Sequence, residues 1–491
     1  MKIKILLISL FLISLFLRFY LLPQNLFFGP EQGIDFMAIK HISIDHKLTL
    51  IGAKTDVSGV FHGPIYYYLS VIPFLLSQGN PLIISIFFIL LNSLSIFLIY
   101  HLGKIIGGKR VGVIAALLFT ISFETIIYPR WLSAHPLAIP LSTLFFLFFY
   151  RFLEGSKKNL LFAAITLGLL NQVEFLHIVF FTGITLVLFI VYLKKLKNLK
   201  KTYLLLCIFS AFIITTGTYI LFDIKHDFLI SRSILSLAGG TSGYHINILQ
   251  TIIDTWISIV RVYMETIFPI NFPVAYILFL GSVILLIFRS CHSRLRRNPT
   301  TIPLLIWLIT PMTILIILRH NILDQFFVSQ IPLYLLMGAI LIDSIWQKKK
   351  ILGIITLLLI CSANLYTYIK NIPSNSEIFF QSTQPHLRYS DQLATIDDIY
   401  KEMKGKPFSF QSYTIPYWTQ QGWQYLFWSY GNKKYGYEPI THSSKVLFVI
   451  IQDDPSNKGF QEDWLKNTVS KWGSPEKTFK HGILTIIKLK T

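Results

Sequence analysis

Two carboxylates in the first polar segment are the residues best suited to chemistry. Glu31 and Asp35 lie four residues apart in GPEQGID, and the run from Glu31 to His41 has no proline and one glycine. A short helix would therefore carry both carboxylates on one face. Paired acids at an apolar boundary raise each other's proton affinity, which suits one of them to take a proton from a hydroxyl near neutral pH. The spacing indicates a general base.

A second interpretation of this segment needs no reaction. An acid in the first helical turn interacts favourably with the helix dipole, and proline is common at the first helical position. Glu31 directly follows Pro30, so the pair could be a solvated helix start. Both interpretations predict the same helix and differ in whether the carboxylates react.

The composition of the chain is that of a membrane protein. Of 491 residues, 53% are hydrophobic and 14% are charged, as in a polytopic helical membrane protein. The formal net charge is +20, but the basic residues form short clusters between apolar runs. This pattern argues against a nucleic-acid partner and for topology signals. The three cysteines lie in or beside apolar segments and indicate no disulfide framework.

About eleven membrane spans are predicted, since a span takes about 20 apolar residues. They are residues 3–22, 81–102, 111–128, 135–153, 159–172, 175–193, 202–222, 272–288, 301–318, 325–346 and 350–369. If the N-terminus is cytoplasmic and the first segment is an uncleaved span, every basic cluster between spans falls on the cytoplasmic side. The first loop, residues 23–80, is then outside.

Two other apolar stretches are excluded from the span count. Residues 65–76 are short and contain Pro73, which predicts an interfacial or re-entrant segment. Residues 245–268 carry Asp254, Arg261 and Glu265. Counting either stretch alone as a span would put downstream basic clusters outside. Counting both would misplace the basic clusters that lie between them, so the eleven-span arrangement fits better.

From Asn371 onward the apolar runs shorten and charges of both signs appear. FSFQSY, VLFVIIQ and the alternating C-terminal residues predict strands, and residues 391–404 and 459–470 predict amphipathic helices. The sequence thus predicts a mainly α membrane domain, residues 1–370, followed by a small α/β domain, residues 371–491, outside the membrane.

Further polar side chains fall at the predicted outer ends of spans. They are Arg130 and His135 in YPRWLSAHP, Glu174 in NQVEFLH, and Arg319. The first loop adds His62 and Tyr66. Ionisable groups cost less at the bilayer edge than at its centre, and their number beside aromatic residues indicates a cavity. Glu174 and His177 could bind a metal with a third ligand. A polar cavity wall is the favoured interpretation, so no metal ligand is assigned and a divalent metal is left open.

These motifs resemble a known family. A first loop with acids soon after the first span, then FHGPIYYYL, then GKRVGVIAALLFTISFETIIYPRW, resembles the GT-C membrane glycosyltransferases. Within them it is similar to glycosyltransferase family 39, the protein-mannosyltransferase and aminoarabinose-transferase-like group. The resemblance covers about residues 1–190. Pro30-Glu31 stands where that family has Asp-Glu, and His62-Gly63-Pro64 stands where it has His-Pro-Pro.

The resemblance implies a reaction and its participants. In that family a first-loop carboxylate activates the acceptor, and the donor is a sugar on a polyprenyl phosphate. For this chain it implies inverting transfer of a hexose or pentose to a hydroxyl of a lipid, glycan or protein, at the outer face of the plasma membrane. Glu31 is the first candidate for the base and Asp35 the second. The remaining polar residues are expected to bind substrate, namely His62, Tyr66, Arg130, His135, Glu174 and Arg319.

The chemistry supports these roles independently of the resemblance. Lipid phosphate is a good leaving group, so an enzyme needs a base for the incoming hydroxyl and cations for the departing phosphate. Arg130 and Arg319 are the best phosphate candidates because a guanidinium offers two parallel donors. Each arginine could instead snorkel to a lipid headgroup.

Two other classes of protein stay open. A transporter or lipid flippase would also place ionisable groups in a membrane cavity, although such proteins tend to show paired halves and no internal repeat is evident here. A non-catalytic relative is the other alternative, because Pro30 departs from the family pattern.

Overall fold

A bundle of apolar helices forms most of the chain in the computed structural model, which describes residues 2–238, 247–295, 301–319, 322–374, 387–415, 419–440 and 444–490. The helices are α1 (Lys2–Phe19), α2 (Leu22–Asn25), α3 (Pro30–Ser43), α4 (Ile65–Ser77), α5 (Pro81–Ser93), α6 (Ser95–Ile121), α7 (Phe123–Ile127), α8 (Ala138–Leu153), α9 (Lys158–Asn171), α10 (Phe175–Val191), α11 (Leu193–Lys197), α12 (Lys201–Lys225), α13 (Leu229–Ala238), α14 (Ile248–Ile267), α15 (Phe272–Leu295), α16 (Ile302–Leu318), α17 (Ile331–Lys348) and α18 (Lys350–Ser374). Short 3-10 helices cover Tyr128–Arg130, His135–Leu137 and Asp324–Gln330.

The helices confirm a polytopic membrane protein. Within the described residues, six helical stretches are long and apolar enough to cross a bilayer: Pro81–Ile121, His135–Leu153, Lys201–Lys225, Phe272–Cys291, Asp324–Lys348 and Lys350–Ile372. Shorter apolar helices cover Ile65–Ser77, Lys158–Asn171, Phe175–Val191 and Ile302–Leu318. Each predicted span coincides with a helix, while the number of spans stays a prediction.

One glycine interrupts the longest apolar helix. Gly108 inside α6 has a φ of 87° and a ψ of 179°, a conformation that residues with a side chain rarely adopt. The helix therefore breaks between Lys104 and Arg110, where the sequence places a basic loop between two spans.

The basic clusters meet at one end of the bundle, which we call the basic end. The Nη1 atom of Arg110 lies 3.4 Å from Oδ1 of Asp343, and the guanidinium lies over the ring of Trp346. Arg289 donates a hydrogen bond of 2.8 Å to the hydroxyl of Ser344. Contacts between α6, α15 and α17 thus gather charges that are far apart in the sequence.

The first loop and three short connections meet at the opposite end, which we call the loop end. The connections are residues 122–137, 172–174 and 322–330. Here the N–H of Gly63 donates to the carbonyl of Gln172 at 3.0 Å. Helix α14 also reaches this end, since Arg261 donates to Asp324 at 2.7 Å.

The C-terminal part forms a four-stranded sheet with helices. Its elements are α19 (Tyr389–Met403), β1 (Ser409–Tyr413), α20 (Gln421–Leu426), a π-helical turn (Phe427–Asn432), α21 (Lys433–Tyr435), β2 (Val446–Gln452), α22 (Lys458–Asn467), a 3-10 turn (Val469–Lys471), β3 (Ser474–His481) and β4 (Leu484–Lys490). The sheet order is β1-β2-β4-β3. β1 pairs with β2 in parallel, and the other pairs are antiparallel.

The burial of each strand follows from its sequence. VLFVIIQ is almost wholly apolar and forms β2, which lies inside the sheet between β1 and β4. Neighbours on both faces suit such a run. SPEKTFKH forms the exposed edge strand β3, where charges and proline are tolerated. The strands predicted from FSFQSY, VLFVIIQ and the alternating C-terminal residues are confirmed as β1, β2 and β4, whereas β3 was missed.

The C-terminal sheet domain packs directly on the first loop. The N–H of Tyr389 donates to the carbonyl of Leu26 at 2.9 Å, and the side chain of Gln392 donates to the carbonyl of Phe28 at 2.9 Å. The ring of Tyr425 meets that of Phe36 edge to face, with centroids 5.2 Å apart. The C-terminal domain therefore packs against helix α3, which carries the acid pair.

Candidate active site

Helix α3 presents both carboxylates as the spacing predicts. It starts at Pro30, with Glu31 in its first turn and Asp35 one turn later. The side chain of Gln32 accepts a hydrogen bond of 3.0 Å from the N–H of Gly29, which fixes the start of the helix. The helix predicted around the acid pair is confirmed.

Asp35 is the buried member of the pair. It is 7% exposed, and its Oδ1 accepts a hydrogen bond of 2.7 Å from the hydroxyl of Tyr67. Burial raises the pKa of Asp35 to about 7; the bond from Tyr67 opposes the rise and the charge of Glu31 adds to it. Asp35 thus holds a proton through most of the range below neutral pH.

Glu31 is the open member of the pair. Its side chain is solvent-exposed, although the surrounding protein desolvates it enough to raise its pKa, against the opposing charge of His135. An incoming hydroxyl can therefore reach Glu31 more readily than Asp35, whose Oδ1 is already hydrogen-bonded.

Three of the predicted substrate-binding residues form one cluster. The Nε2 atom of His135 lies 2.9 Å from Oε2 of Glu174, and Nδ1 of His62 lies 3.4 Å from Oε1. All three side chains are buried. Burial opposes ionisation of Glu174, but the charge of His62 and the hydrogen bond and charge of His135 hold the pKa of Glu174 at about 2. The charge of His135 also lowers the pKa of Glu31 and Asp35, so the cluster adjoins the acid pair.

Backbone contacts explain why the chain departs from His-Pro-Pro at this point. A Cβ atom on Gly63 would lie 2.8 Å from Cα of Gln172, and the N–H of Gly63 donates to the carbonyl of Gln172. Proline has a Cβ atom and no N–H, so it could satisfy neither contact. The glycine lets the first loop approach residues 172–174 closely.

The other three predicted substrate-binding residues lie apart from the cluster. Arg130 is buried and donates from Nε to the carbonyl of Arg18 at 3.0 Å and from Nη2 to the carbonyl of Tyr20. These are carbonyls at the C-terminal end of α1, where a cation is favourable. Tyr66 is buried in α4, with its ring 5.2 Å from that of Phe88. Arg319 is exposed directly after α16.

Two features of the site could not be predicted from the sequence. FHGPIYYYL contains three consecutive tyrosines, and only the helical phase of α4 shows that Tyr67 is the one that bonds Asp35. The packing of the C-terminal domain on α3 joins residues almost four hundred positions apart, such as Gly33 and Gly422. No local pattern in the sequence signals such a contact.

Comparisons with known proteins find one similar family and several similar folds. Residues 61–219 match the family described as dolichyl-phosphate-mannose-protein mannosyltransferase. The structure of ArnT from Cupriavidus metallidurans bound to undecaprenyl phosphate superposes with a TM-score of 0.64, at 9% identity, over 99% of this chain and 98% of ArnT. No curated protein sequence matches the chain significantly.

Two structures of an archaeal enzyme share the fold over a shorter part of their length. The oligosaccharyltransferase of Archaeoglobus fulgidus in complex with Zn and sulfate has a TM-score of 0.52 at 16% identity, over 86% of this chain and 61% of that one. The A. fulgidus oligosaccharyltransferase AglB with an inhibitory peptide and a dolichol-phosphate has a TM-score of 0.51 at 15% identity, over 86% and 63%.

These matches define the class of protein. The chain is a multi-pass membrane protein with the GT-C fold. The resemblance to glycosyltransferase family 39, drawn from the motifs of the first loop and the segment after it, is confirmed over residues 61–219 by the family match. The ArnT superposition shows that the fold is shared along the chain.

Proposed function

We propose that this protein transfers a sugar from a polyprenyl-phosphate donor to a hydroxyl acceptor at the loop end. The observation that carries the proposal is the acid pair on α3, with Glu31 open and Asp35 buried under Tyr67. Solved relatives in fold were bound to undecaprenyl phosphate or a dolichol-phosphate, which supports a lipid-phosphate ligand for this chain as well.

The proposed step is an inverting displacement. The acceptor oxygen attacks the anomeric carbon while the bond from that carbon to the phosphate oxygen breaks, and the lipid phosphate leaves with the bonding electrons. Glu31 takes the proton of the acceptor hydroxyl. When Asp35 is protonated, no second negative charge lies beside Glu31. The exposed carboxylate of Glu31 can therefore act as the base at neutral pH.

The departing phosphate needs positive partners. Arg319 is exposed at the loop end of α16, and within the described residues its guanidinium makes no ion pair, which favours it as a phosphate ligand. Arg130 already holds the end of α1. We retain it as a donor-binding candidate through its remaining N–H groups. His62, His135, Glu174 and Tyr66 stay candidates for substrate binding.

Binding of lipid phosphate tests the proposed donor class. Native mass spectrometry of the purified protein should show binding of undecaprenyl phosphate and not of undecaprenol, which lacks the anion. Arg319→Ala should weaken phosphate binding, and Arg319→Lys should restore part of it, because lysine keeps the charge and loses the paired donors. Arg130→Ala and Arg130→Lys form the parallel series.

Two outcomes of the binding experiment would count against the proposal. Equal binding of the phosphate and the alcohol would show that the lipid tail alone is recognised. Unchanged phosphate binding in Arg319→Ala and Arg130→Ala would leave snorkelling and capping of α1 as the better accounts of the two arginines.

We further propose that the loop end and the C-terminal domain face outward across the plasma membrane, with the basic end cytoplasmic. In a background with the exposed Cys291 replaced by serine, Lys401→Cys in α19 should react with an impermeant thiol reagent on intact cells. Lys349→Cys at the basic end is the matched control and should react only after lysis. The reverse pattern would contradict the orientation.

A further inference from the structure

Three connections at the loop end contribute one ligand atom each to a buried cluster. His62 comes from the first loop, His135 from the segment before α8, and Glu174 from the connection between α9 and α10. The three candidate atoms lie within 4.8 Å of one another. Two imidazoles and one carboxylate are a donor set that protein zinc sites use, with metal–ligand distances of about 2.0–2.2 Å. A small inward movement would bring all three within that range.

Hydrogen bonds already orient one of the imidazoles. His135 contacts Glu174 through Nε2, and its Nδ1 lies 3.2 Å from the hydroxyl of Ser133. The ring also stacks on Trp131, with centroids 4.8 Å apart. Ser133 is thus placed as the outer partner that metal-bound histidines usually have on their second nitrogen. The imidazole is held before any ion arrives.

The second imidazole, His62, has two contacts that no single protonation state satisfies. Nδ1 of His62 accepts a hydrogen bond of 3.2 Å from the N–H of Phe175, so its single lone pair is directed at that N–H. The same atom lies 3.4 Å from Oε1 of Glu174, which also presents lone pairs. A proton on Nδ1 would relieve this repulsion and would then oppose the N–H of Phe175. A cation that replaces the N–H of Phe175 at Nδ1 would attract both Nδ1 and Oε1.

Two further polar side chains near Glu174, those of His177 and Tyr219, are buried. Within the described residues, neither the ring nitrogens of His177 nor the hydroxyl of Tyr219 make a hydrogen bond of normal distance and angle. His177 is 1% exposed. Buried polar groups are nearly always satisfied, and exceptions suggest an ion or water.

We propose that His62, His135 and Glu174 form a binding site for a divalent transition metal of the zinc class. The metal would join the first loop to the two other connections at the loop end and place two positive charges beside the acid pair. Its remaining coordination position would be filled by a water. The site goes beyond the proposed transfer reaction, and its test does not need that reaction.

Metal content and metal-dependent stability test the site directly. The full-length protein, purified in detergent and stripped with a chelator, is reloaded with Zn²⁺ or Co²⁺. We expect about one metal per chain, a tetrahedral Co²⁺ absorption spectrum, and a rise in melting temperature on loading, since a ligand that binds only the folded state stabilises it. Glu174→Gln keeps the size of the side chain and an acceptor for His135. It should weaken metal binding by more than the roughly 10–100-fold that loss of an outer partner costs.

Matched variants separate this site from general histidine binding. His41→Gln removes an exposed histidine that bonds Asp45 elsewhere in the chain, and it should leave the metal content unchanged. His62→Ala provides a second ligand variant if Glu174→Gln folds poorly. A wild-type protein that takes up no more Zn²⁺ than His62→Ala would overturn the proposal, as would a wild-type melting temperature that Zn²⁺ does not change. Either result would leave the proposed role of Glu31 standing.

Discussion

Replacing Glu31 by glutamine should lower sugar turnover by roughly 10²–10⁴-fold, the usual contribution of a positioned general base. Glutamine keeps the size and hydrogen bonding of the side chain but cannot take the proton of the acceptor. Binding of the lipid-phosphate donor should persist, because the variant keeps the start of α3 and its cap from Gln32. The measurement is transfer from a panel of polyprenyl-phosphate hexoses and pentoses, with donor binding followed in parallel.

Asp35→Asn is the matched control for this prediction. It removes the buried carboxylate and leaves the exposed one, so we expect a smaller loss of turnover. The pH profile adds a second readout: the wild-type rate should change near the pKa of about 7 that burial gives Asp35, and this feature should be lost in Asp35→Asn. If Asp35→Asn is inactive and Glu31→Gln is active, the order of the two acids is reversed. Full activity in both variants would favour a transporter.

Gly33→Ala should disturb the site from a distance. A Cβ atom on Gly33 would lie 2.3 Å from Cα of Gly422 and 2.4 Å from its nitrogen, and backbone atoms cannot rotate away from it. Either α3 or α20 must shift, at a cost of roughly 1–3 kcal/mol for overpacking. Since Glu31 lies on the same first turns of α3, its displacement by about 1 Å could cost roughly 10²-fold in turnover.

A second glycine provides the control for Gly33→Ala. Gly459 lies in α22 of the same C-terminal domain, and a Cβ atom there would meet nothing within 4 Å. Gly459→Ala should therefore leave turnover unchanged and stability equal or slightly higher, since alanine favours helix more than glycine does. Thermal unfolding and turnover are measured for both variants. If Gly33→Ala behaves like Gly459→Ala, the C-terminal domain does not position the acid pair.

The membrane domain was largely predictable because its signals are local. Each apolar run of span length that the sequence shows between basic clusters coincides with a helix in the structure. The acid pair was predictable for the same reason: residues 31 and 35 share a helix face by spacing alone. Contacts at the basic end, such as Arg110 with Asp343, agree with the grouping of basic loops on one side.

The rest of the site depends on long-range packing. The sequence placed His62, His135 and Glu174 at outer ends of spans, but which of them meet is decided by the approach of Gly63 to Gln172. The sequence paired Glu174 with His177 as a potential metal set, whereas the structure groups Glu174 with His62 and His135. Arg130 illustrates the opposite case, since its guanidinium is directed to the carbonyls of Arg18 and Tyr20, which no spacing indicates.

A structure of the protein with undecaprenyl phosphate bound tests the central claim most directly. We predict that the phosphate lies at the loop end, close to Arg319 or Arg130, with room for one sugar ring between the phosphorus atom and the carboxylate of Glu31. A phosphate at the basic end, or on the lipid-facing surface of the bundle with the acid pair turned away from it, would contradict the account.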